Sequence, residues 1–333
     1  MSFEHLVVLG ASAGGVEAVS AVASRLEPDF PAPVCVVVHT SPDFPSMLAT
    51  LIARAGVLPA ELASSGTPLV PGKIFVAPPD HHLLVEPGRL QTSRGPKENR
   101  SRPAVDPLFR SAAQVYGPRV IGVVLTGGLD DGTAGLWTIK QLGGIAIVQD
   151  PVGAVAPSMP EHALRHVDVD HCVALAAIGP LLNRLVRESV HERAIRPSAA
   201  TSAEVSIARG LDAMEAGVEK LGTPSIFACP ECHGVLIEVA EGGRTRYRCH
   251  TGHAYSRAAL RSDQDEKVEQ ALYNAMRALE ERQMLLEQLA RQEPDPKRAA
   301  RLQDDHARAR DAVATVRDLI RSTVAAAAEG VGK

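Results

Sequence analysis

The chain has 333 residues, of which 45% are hydrophobic and only 3% aromatic, and its formal net charge is -4. A chain of this length buries a large core and has room for a second module. The small negative charge gives no electrostatic basis for nucleic-acid binding, which requires a basic surface. The five cysteines, an odd number, do not suit a disulfide framework and indicate a reducing compartment.

The amino-terminal residues contain neither a signal peptide nor a membrane span. Glu4 and His5 precede the first apolar run, which covers only residues 6–9, whereas a membrane span needs about 18 apolar residues. We therefore expect a cytoplasmic protein that does not insert into a membrane.

The first half of the chain alternates apolar runs with helical segments. Continuous apolar runs of this kind are typical of parallel strands that are covered on both faces. They occupy residues 6–9, 34–38, 120–125 and 145–148. Strands that alternate with helices predict an α/β domain with a doubly wound, mostly parallel sheet in three layers, which we assign to residues 1–189.

Three of these runs end at residues that carry chemistry: Ser12, His39 and the pair Asp130-Asp131. Because the carboxyl ends of parallel strands lie at one edge of a sheet, we expect these side chains to meet. A serine, a histidine and an acid are the nucleophile, base and orienting group of acyl transfer. The chain order of serine, histidine and acid is not that of the α/β-hydrolases.

The turn that contains Ser12 has the pattern Gly-x-Ser-x-Gly, in which glycines let the chain bend sharply and lift a hydroxyl above the sheet. Free backbone N–H groups at Ala13 and in the Gly127-Gly128 turn are candidates for binding an oxyanion. An alternative is a phosphate cradle, because a glycine-rich turn before a helix offers backbone donors to an anion.

Together these motifs resemble the catalytic domain of the CheB chemotaxis methylesterases. The resemblance runs from about Leu6 to Leu185 and rests on His39 and on residues 10–15, 77–83, 102–109, 125–132 and 158–160. It implies hydrolysis of methyl esters on receptor glutamates without a cofactor, and in some members deamidation of receptor glutamines. It assigns the nucleophile to Ser12, the base to His39 and the orienting acid to Asp131.

The resemblance also bears on the oxyanion site and on partners. Gly128 occupies the position of a methionine in the usual family pattern, and its backbone N–H keeps the role of oxyanion donor. The implied substrate is a methylated chemoreceptor or a similar helical sensory protein, with a methyltransferase or a response regulator as further partners. Because the first strand begins at residue 6, we expect no receiver domain ahead of it. The alternatives are a glutamine deamidase that uses the same triad and a catalytically silent signalling scaffold.

A cysteine cluster follows in the second half of the chain. Two residues separate Cys229 from Cys232, and 16 residues separate Cys232 from Cys249. This is the spacing of a zinc ribbon with a hairpin between two knuckles. The fourth ligand is His253 or His250, and we favour His253 because its spacing leaves room for a knuckle turn. We predict structural zinc here rather than a redox pair or three inert thiols. The same arrangement resembles a small module attached to some CheB-like proteins.

Composition divides the rest of the chain. We predict a linker at 190–203, an amphipathic helix at 204–222, a zinc-ribbon-like module at 223–262 and a helical hairpin or coiled-coil tail at 263–333. The tail is a candidate for self-association. We predict that the two other cysteines, Cys35 and Cys172, are buried.

Overall fold

The computed structural model describes residues 3–40, 46–190 and 195–330, with side chains described as far as residue 323. Four residues of the predicted linker, 191–194, and the last three of the predicted tail lie outside the described residues. The chain divides into two compact units, Met1–Leu260 and Arg261–Lys333.

Among the described residues, the first unit has a parallel sheet at its centre. In chain order its first nine strands are β1 (Leu6–Ala11), β2 (Val34–Val38), β3 (Ala60–Leu62), β4 (Ile74–Val76), β5 (His82–Glu86), β6 (Arg89–Ser93), β7 (Val120–Val124), β8 (Ile145–Gln149) and β9 (His171–Val173). Seven of them form the parallel sheet in the order β3-β4-β2-β1-β7-β8-β9, and β5 and β6 form a separate antiparallel hairpin. The helices around the sheet are α1 (Gly15–Ala23), α2 (Leu48–Ala55), α3 (Val105–Tyr116), α4 (Thr133–Gln141), α5 (Ser158–His166) and α6 (Leu175–Leu185).

The sheet is buried on both faces. Along β1, Leu6 and Val8 point to one hydrophobic layer, whereas Val7 and Leu9 point to the other. Helices α3, α4 and α5 supply the first layer, and α1, α2 and α6 supply the second. This explains why the strands read as continuous apolar runs. The predicted doubly wound, three-layer fold is confirmed.

The two isolated cysteines differ in burial. Cys35 lies in β2, an interior strand of the sheet, and is completely buried, as predicted. Cys172 is exposed, so the prediction that it is buried was wrong. Its strand, β9, is the last in the sheet order and therefore lies at an edge, where one side has no neighbouring strand.

The prediction of an amphipathic helix at 204–222 was wrong. A shorter helix, α7 (Ala199–Ala208), begins inside the predicted linker, where the Ser198 side chain accepts a hydrogen bond from the Thr201 N–H group. It ends before Gly210, whose φ of 91° is left-handed and stops the helix. Turns follow, and the Asp212 carboxylate accepts from two backbone N–H groups there.

The apolar residues spaced along 207–221 do not lie on one face of a helix. Ile207 and Val218 are buried together under the next module, whereas Leu211 and Met214, at 58% and 50% exposure, face solvent. A continuous helix would have placed all four on one face. The periodic spacing was therefore coincidental.

An antiparallel sheet forms the cysteine-rich module. Its strands are β10 (Thr223–Ala228), β11 (Val235–Glu241), β12 (Arg244–Cys249) and β13 (Ala254–Ser256), paired in chain order. The predicted hairpin is present, since β11 pairs with β12 around Gly242 and Gly243. The module has a small apolar core, built around Leu236, Tyr247 and Tyr255.

Two long helices occupy the rest of the chain, α8 (Arg257–Gln292) and α9 (Pro296–Gly330). Residues 293–295, which include Pro294, separate them, and an ion pair of 3.0 Å joins Arg317 on α9 to Glu280 on α8. Within the described ranges, no helix combines the length and the apolarity needed to cross a membrane.

A group of buried charges joins the cysteine-rich module to the α/β domain. We call it the buried charge cluster, and it consists of Glu98, Arg110, Glu204, Arg246 and Arg248. Glu98 binds Arg110 at 2.8 Å and Arg248 at 2.7 Å. Glu204 on α7 also pairs with Arg248 and lies 3.5 Å from Arg246. Arg248 and Arg246 of β12 thereby pair with acids from outside their own module, and Arg246 also pairs with Glu241 of β11.

The Glu204→Ala variant tests the buried charge cluster. It removes one of the two acids of the cluster and leaves its three buried guanidinium groups with too little negative charge, so we expect a loss of about 3–5 kcal/mol in the free energy of unfolding. The matched control is Glu188→Ala, which breaks an exposed pair with Arg184 and should cost less than about 1 kcal/mol. Urea unfolding measures both, and equal losses would contradict the structural role of the cluster.

Candidate active site

The turn after β1 presents Ser12 at the carboxyl edge of the sheet. Gly14 has a left-handed φ of 72° and precedes the first residue of α1, which gives the sharp bend. The Ser12 N–H group donates to the carbonyl oxygen of Thr126 at 2.9 Å. The Thr126 hydroxyl donates back to the Ala13 carbonyl at 3.0 Å. The loop after β7 therefore holds the serine turn in place.

Ser12, His39 and Asp131 lie within hydrogen-bonding distance of one another in series. The distance from Ser12 Oγ to His39 Nδ1 is 3.0 Å, and that from His39 Nε2 to Asp131 Oδ2 is 2.8 Å. When Nε2–H donates to the carboxylate, Nδ1 is left as the acceptor that faces the serine hydroxyl. Ser12 follows β1, His39 follows β2 and Asp131 follows β7. These strands are neighbours in the sheet, with β1 between the other two, as the strand-end argument predicted.

Hydrogen-bond donors surround the Asp131 carboxylate, which is only 2% exposed. Oδ2 accepts from the Val105 N–H group at 2.7 Å, and Oδ1 accepts from the Gly132 N–H group at 3.0 Å and from Asn99 Nδ2 at 3.1 Å. Val105 begins α3, so the positive end of the helix dipole points at the carboxylate. Burial opposes ionisation, but the bond and charge of His39 and these donors hold the pKa of Asp131 below its usual value.

The neighbouring aspartate has a different environment. Asp130 Oδ1 accepts a hydrogen bond of 2.5 Å from the Ser256 hydroxyl, which belongs to the cysteine-rich module. Burial raises the pKa of Asp130. The structure therefore brings Asp131, and not Asp130, to the imidazole, in agreement with the residue that the family resemblance selects.

Two further residues at this site escaped the sequence analysis. The side chain of Asn99 donates to Asp131 and, at 3.2 Å, to Asp106 Oδ2. Asp106 Oδ1 accepts from the Gly135 N–H group at 2.6 Å. Burial and the charge of Asp131 raise the pKa of Asp106 to about 7. The sequence gives no signal for Asn99, because its partners are 7, 32 and 157 residues away.

A small cavity opens beside His39. It has a volume of about 140 Å³ and is lined by residues of the loop after β2 and by Asp80, Lys97, Arg100 and Arg102. Asp80 binds Arg102 at 2.6 Å, so part of this basic rim is neutralised. Burial opposes ionisation of Asp80, but the Arg102 and Arg94 guanidinium groups lower its pKa. The cavity has room for one amino-acid side chain rather than for a bulky ligand.

The sulfur atoms of Cys229, Cys232 and Cys249 and a ring nitrogen of His253 lie within 4.8 Å of one another. His250, the alternative ligand, is exposed and is not part of this group. The side-chain interaction between Cys229 and Cys249 lowers the pKa of the Cys249 thiol and raises that of Cys229. Three thiols and one imidazole at these distances fit a tetrahedral metal ion with four protein ligands.

Comparison with known proteins agrees with this fold. Residues 7–182, just over half of the chain, match the family profile described as CheB methylesterase. The crystal structure of the Thermotoga maritima CheB methylesterase catalytic domain superposes with a TM-score of 0.53 at 32% identity, and the match covers 56% of this chain and 100% of that one.

Several curated proteins are similar over the same part of the chain. A protein of Leptospira interrogans, named provisionally as a protein-glutamate methylesterase/protein-glutamine glutaminase, is 34% identical over 194 residues, which is 58% of this chain and all of the relative. Protein-glutamate methylesterase/protein-glutamine glutaminase 2 of Anaeromyxobacter dehalogenans is 40% identical over 55% of this chain and 54% of its own length. Protein-glutamate methylesterase FrzG of Myxococcus xanthus is 37% identical, with 54% of each chain covered.

The family match confirms the resemblance found in the motifs, and the parallel sheet predicted from the apolar runs is the one that the matched structure shares. Because more than half of its length fits the family profile, the chain belongs to the CheB methylesterase family.

Proposed function

We propose that this chain is a protein-glutamate methylesterase that uses Ser12, His39 and Asp131 to hydrolyse methyl esters of glutamate side chains. The observation that carries the proposal is the continuous series of contacts from the serine hydroxyl through the imidazole to a buried carboxylate, at 3.0 and 2.8 Å. The names of the similar proteins support the substrate class.

The reaction follows from the geometry. Ser12 Oγ attacks the ester carbonyl while His39 Nδ1 takes its proton, and the Asp131 carboxylate stabilises the imidazolium that forms. The imidazolium then gives its proton to the methoxy leaving group, and methanol departs. A water molecule, activated by the same nitrogen, hydrolyses the acyl-enzyme and leaves a glutamate.

The oxyanion of the tetrahedral intermediate would be held by the backbone N–H groups of Ala13 and Gly128. Among the described residues, neither group donates to a backbone carbonyl, so both are free to bind an oxygen atom. A side chain built on Gly128 would meet nothing within 4 Å, so there is open space beside this residue. These features support the assignment of both donors.

The same triad supports a second reaction, the deamidation of glutamine side chains. Ammonia would then replace methanol as the leaving group, with the acyl-enzyme and its hydrolysis unchanged. The printed names of two similar proteins carry both activities, which favours this second candidate. The contact series among the three side chains favours both enzymes over a catalytically silent scaffold.

The substrate protein and the other partners stay predictions. We propose a methylated chemoreceptor or a similar helical sensory protein as the substrate, in the cytoplasm. A methyltransferase, a response regulator and self-association through α8 and α9 stay predictions of the sequence analysis. The apolar side chains Val268, Met284 and Leu285 on α8 are more than half exposed, which supports the last of these.

We also propose that Cys229, Cys232, Cys249 and His253 hold a structural zinc ion. Zinc would supply four bonds that tie both knuckles of the module together, with no open position for catalysis. The small apolar core of the module supports this role, because a sheet of this size rarely folds on hydrophobic burial alone.

The Ser12→Ala variant tests the proposed esterase. It removes the nucleophile, so methanol release from a methylated receptor fragment should fall at least about 10³-fold. Circular dichroism checks that the fold is unchanged. Retained methanol release by the variant would remove Ser12 from the mechanism. Release of ammonia, without methanol, by the wild-type chain acting on the receptor fragment would identify the deamidase.

A matched pair of glycine variants tests the geometry around Ser12. A Cβ atom at Gly127 would lie 2.0 Å from Met159 Sδ and 2.9 Å from Ser12 Cβ. Gly127→Ala should therefore displace the serine and lower kcat/KM for methanol release at least about 10-fold. Gly153→Ala also meets no neighbour and lies outside the proposed site, so its kcat/KM should stay within about twofold of the wild type. Equal effects would contradict the proposed site.

Metal analysis of freshly purified protein tests the zinc site. We expect about one zinc ion per chain, and a large loss of zinc in Cys232→Ser because three ligands bind more weakly than four. The control is Cys172→Ser, which changes an exposed cysteine away from the cluster. Zinc below half an equivalent in the wild type would count against the proposal.

A further inference from the structure

The last metal-ligand candidate leads directly into contacts with the α/β domain. Strand β13 starts one residue after His253, and its first residue, Ala254, pairs with the loop that follows β6. The Ala254 N–H group donates to the Lys97 carbonyl at 3.2 Å, and its carbonyl accepts from the Asn99 N–H group at 2.8 Å. The position of this loop therefore depends on the position of β13.

The Asn99 side chain bridges the module and the catalytic acid. Its Oδ1 accepts from the Ser256 N–H group on β13 at 2.9 Å, while Nδ2 donates to Asp131 Oδ1 at 3.1 Å and to Asp106 Oδ2 at 3.2 Å. The residue is only 6% exposed, and its φ of 49° is in the left-handed region that asparagine tolerates better than most residues. Both donors and the acceptor of the amide are thus used in fixed directions.

A second contact runs parallel to the first. The Ser256 hydroxyl donates to Asp130 Oδ1 at 2.5 Å and accepts from the Ala259 N–H group at the start of α8. The same residue of the module therefore contacts the aspartate next to the catalytic acid and, through Asn99, the catalytic acid itself.

The proposed metal ligands determine where β13 begins. The turn from Cys249 to His253 is closed by the Cys249 N–H group donating to the His253 carbonyl at 3.0 Å. Arg248, immediately before this turn, donates to the Gly252 carbonyl at 2.7 Å and belongs to the buried charge cluster. With a metal bound to Cys249 and His253, this turn is held at two points, and β13 leaves it in one direction.

We propose that Asn99 is a positioning residue for Asp131, and that the Cys/His cluster, when it holds a metal, fixes Asn99 through Ala254 and Ser256. The proposal rests on the proposed esterase function. The cysteine-rich module then supports the active site of the α/β domain, and loss of the metal lowers the reactivity of Ser12 without touching any catalytic residue.

The proposal has a signature in the pH profile. The triad works with Asp131 ionised and with the His39 imidazole free to accept a proton. The titratable groups around Asp131 are His39, Asp106, Asp130 and His82, so reactivity is lost as the pH falls and this coupled group takes up a proton. The Asn99 amide is among the donors that keep the pKa of Asp131 below its usual value. Removing the donor raises the pKa, so the acid limb of the profile moves to higher pH. A variant that is only less stable would also unfold at a higher pH, so each rate is measured at pH values where circular dichroism shows that the chain is folded.

The test uses the rate at which a serine-directed phosphonate labels Ser12 in the full chain, measured against pH. Asn99→Leu should slow labelling about 10- to 100-fold and move the acid limb to higher pH. The control is Glu188→Ala, which breaks the exposed pair with Arg184 and touches neither Asn99 nor the Cys/His cluster, and it should label like the wild type. Wild-type rates and limb in Asn99→Leu would overturn the proposal.

Metal removal provides the second arm. When wild-type protein is stripped of metal with a chelator under reducing conditions, its labelling rate should fall by the same factor as in Asn99→Leu. Added zinc chloride should restore the wild-type rate. Stripping Asn99→Leu should cost little more, because both changes act on one link. Additive losses, a stripped wild type that labels normally, or a chain that binds no metal would each overturn the proposal. If Asn99→Leu does not fold, the acid limb of the stripped and reloaded wild type decides.

A wild-type, zinc-loaded chain that does not label at Ser12 marks a different failure. It would contradict the proposed esterase itself, whereas normal labelling that is indifferent to Asn99 and to the metal contradicts only the link between the module and the triad.

Discussion

The burial of one carboxylate constrains the whole active site. Asp131 is almost without solvent, and a buried charge is tolerated only where donors replace the water it has lost. Its donors come from the start of α3, from the loop after β7, from the imidazole and from Asn99. Each of these segments must hold its position for the acid to stay ionised, so the carboxylate links elements that are far apart in the chain.

The cysteine-rich module contacts one of these segments, the loop that carries Asn99, and is not an independent appendage. Its strand β12 contributes Arg246 and Arg248 to the buried charge cluster, and its strand β13 supplies Ser256 to Asn99 and Asp130. Charged groups with partners on both sides make the interface specific, because any other arrangement leaves a buried charge unpaired. A structural metal site could thereby bear on catalysis without taking part in the chemistry.

Local sequence patterns were sufficient to predict the sheet and the three strand-end residues. Apolar runs identify buried strands, and parallel topology then brings Ser12, His39 and Asp131 to one edge whatever their separation in the chain. Spacing could not choose between Asp130 and Asp131, because adjacent residues follow the same strand. The structure separates them by their partners, the imidazole for one and Ser256 for the other.

Other features could not be predicted because they depend on contacts between distant segments. Asn99 and the buried charge cluster have no local pattern, although three arginines alternate along β12 and so share one face of that strand. The predicted helix at 204–222 shows the opposite error, since an apolar period of the right length spans the end of α7 and the turns after it, where Ile207 and Val218 pack under the module. Left-handed glycines at 210 and 217 were the better signal.

The claim that Ser12 is a nucleophile activated by His39 is tested most directly by covalent labelling with a serine-directed phosphonate. Mass spectrometry of peptides from the labelled chain then maps the labelled residue. We expect a single adduct, on Ser12, which disappears when His39 is replaced by alanine. An adduct on another residue, or labelling of Ser12 that does not depend on the imidazole, would contradict it.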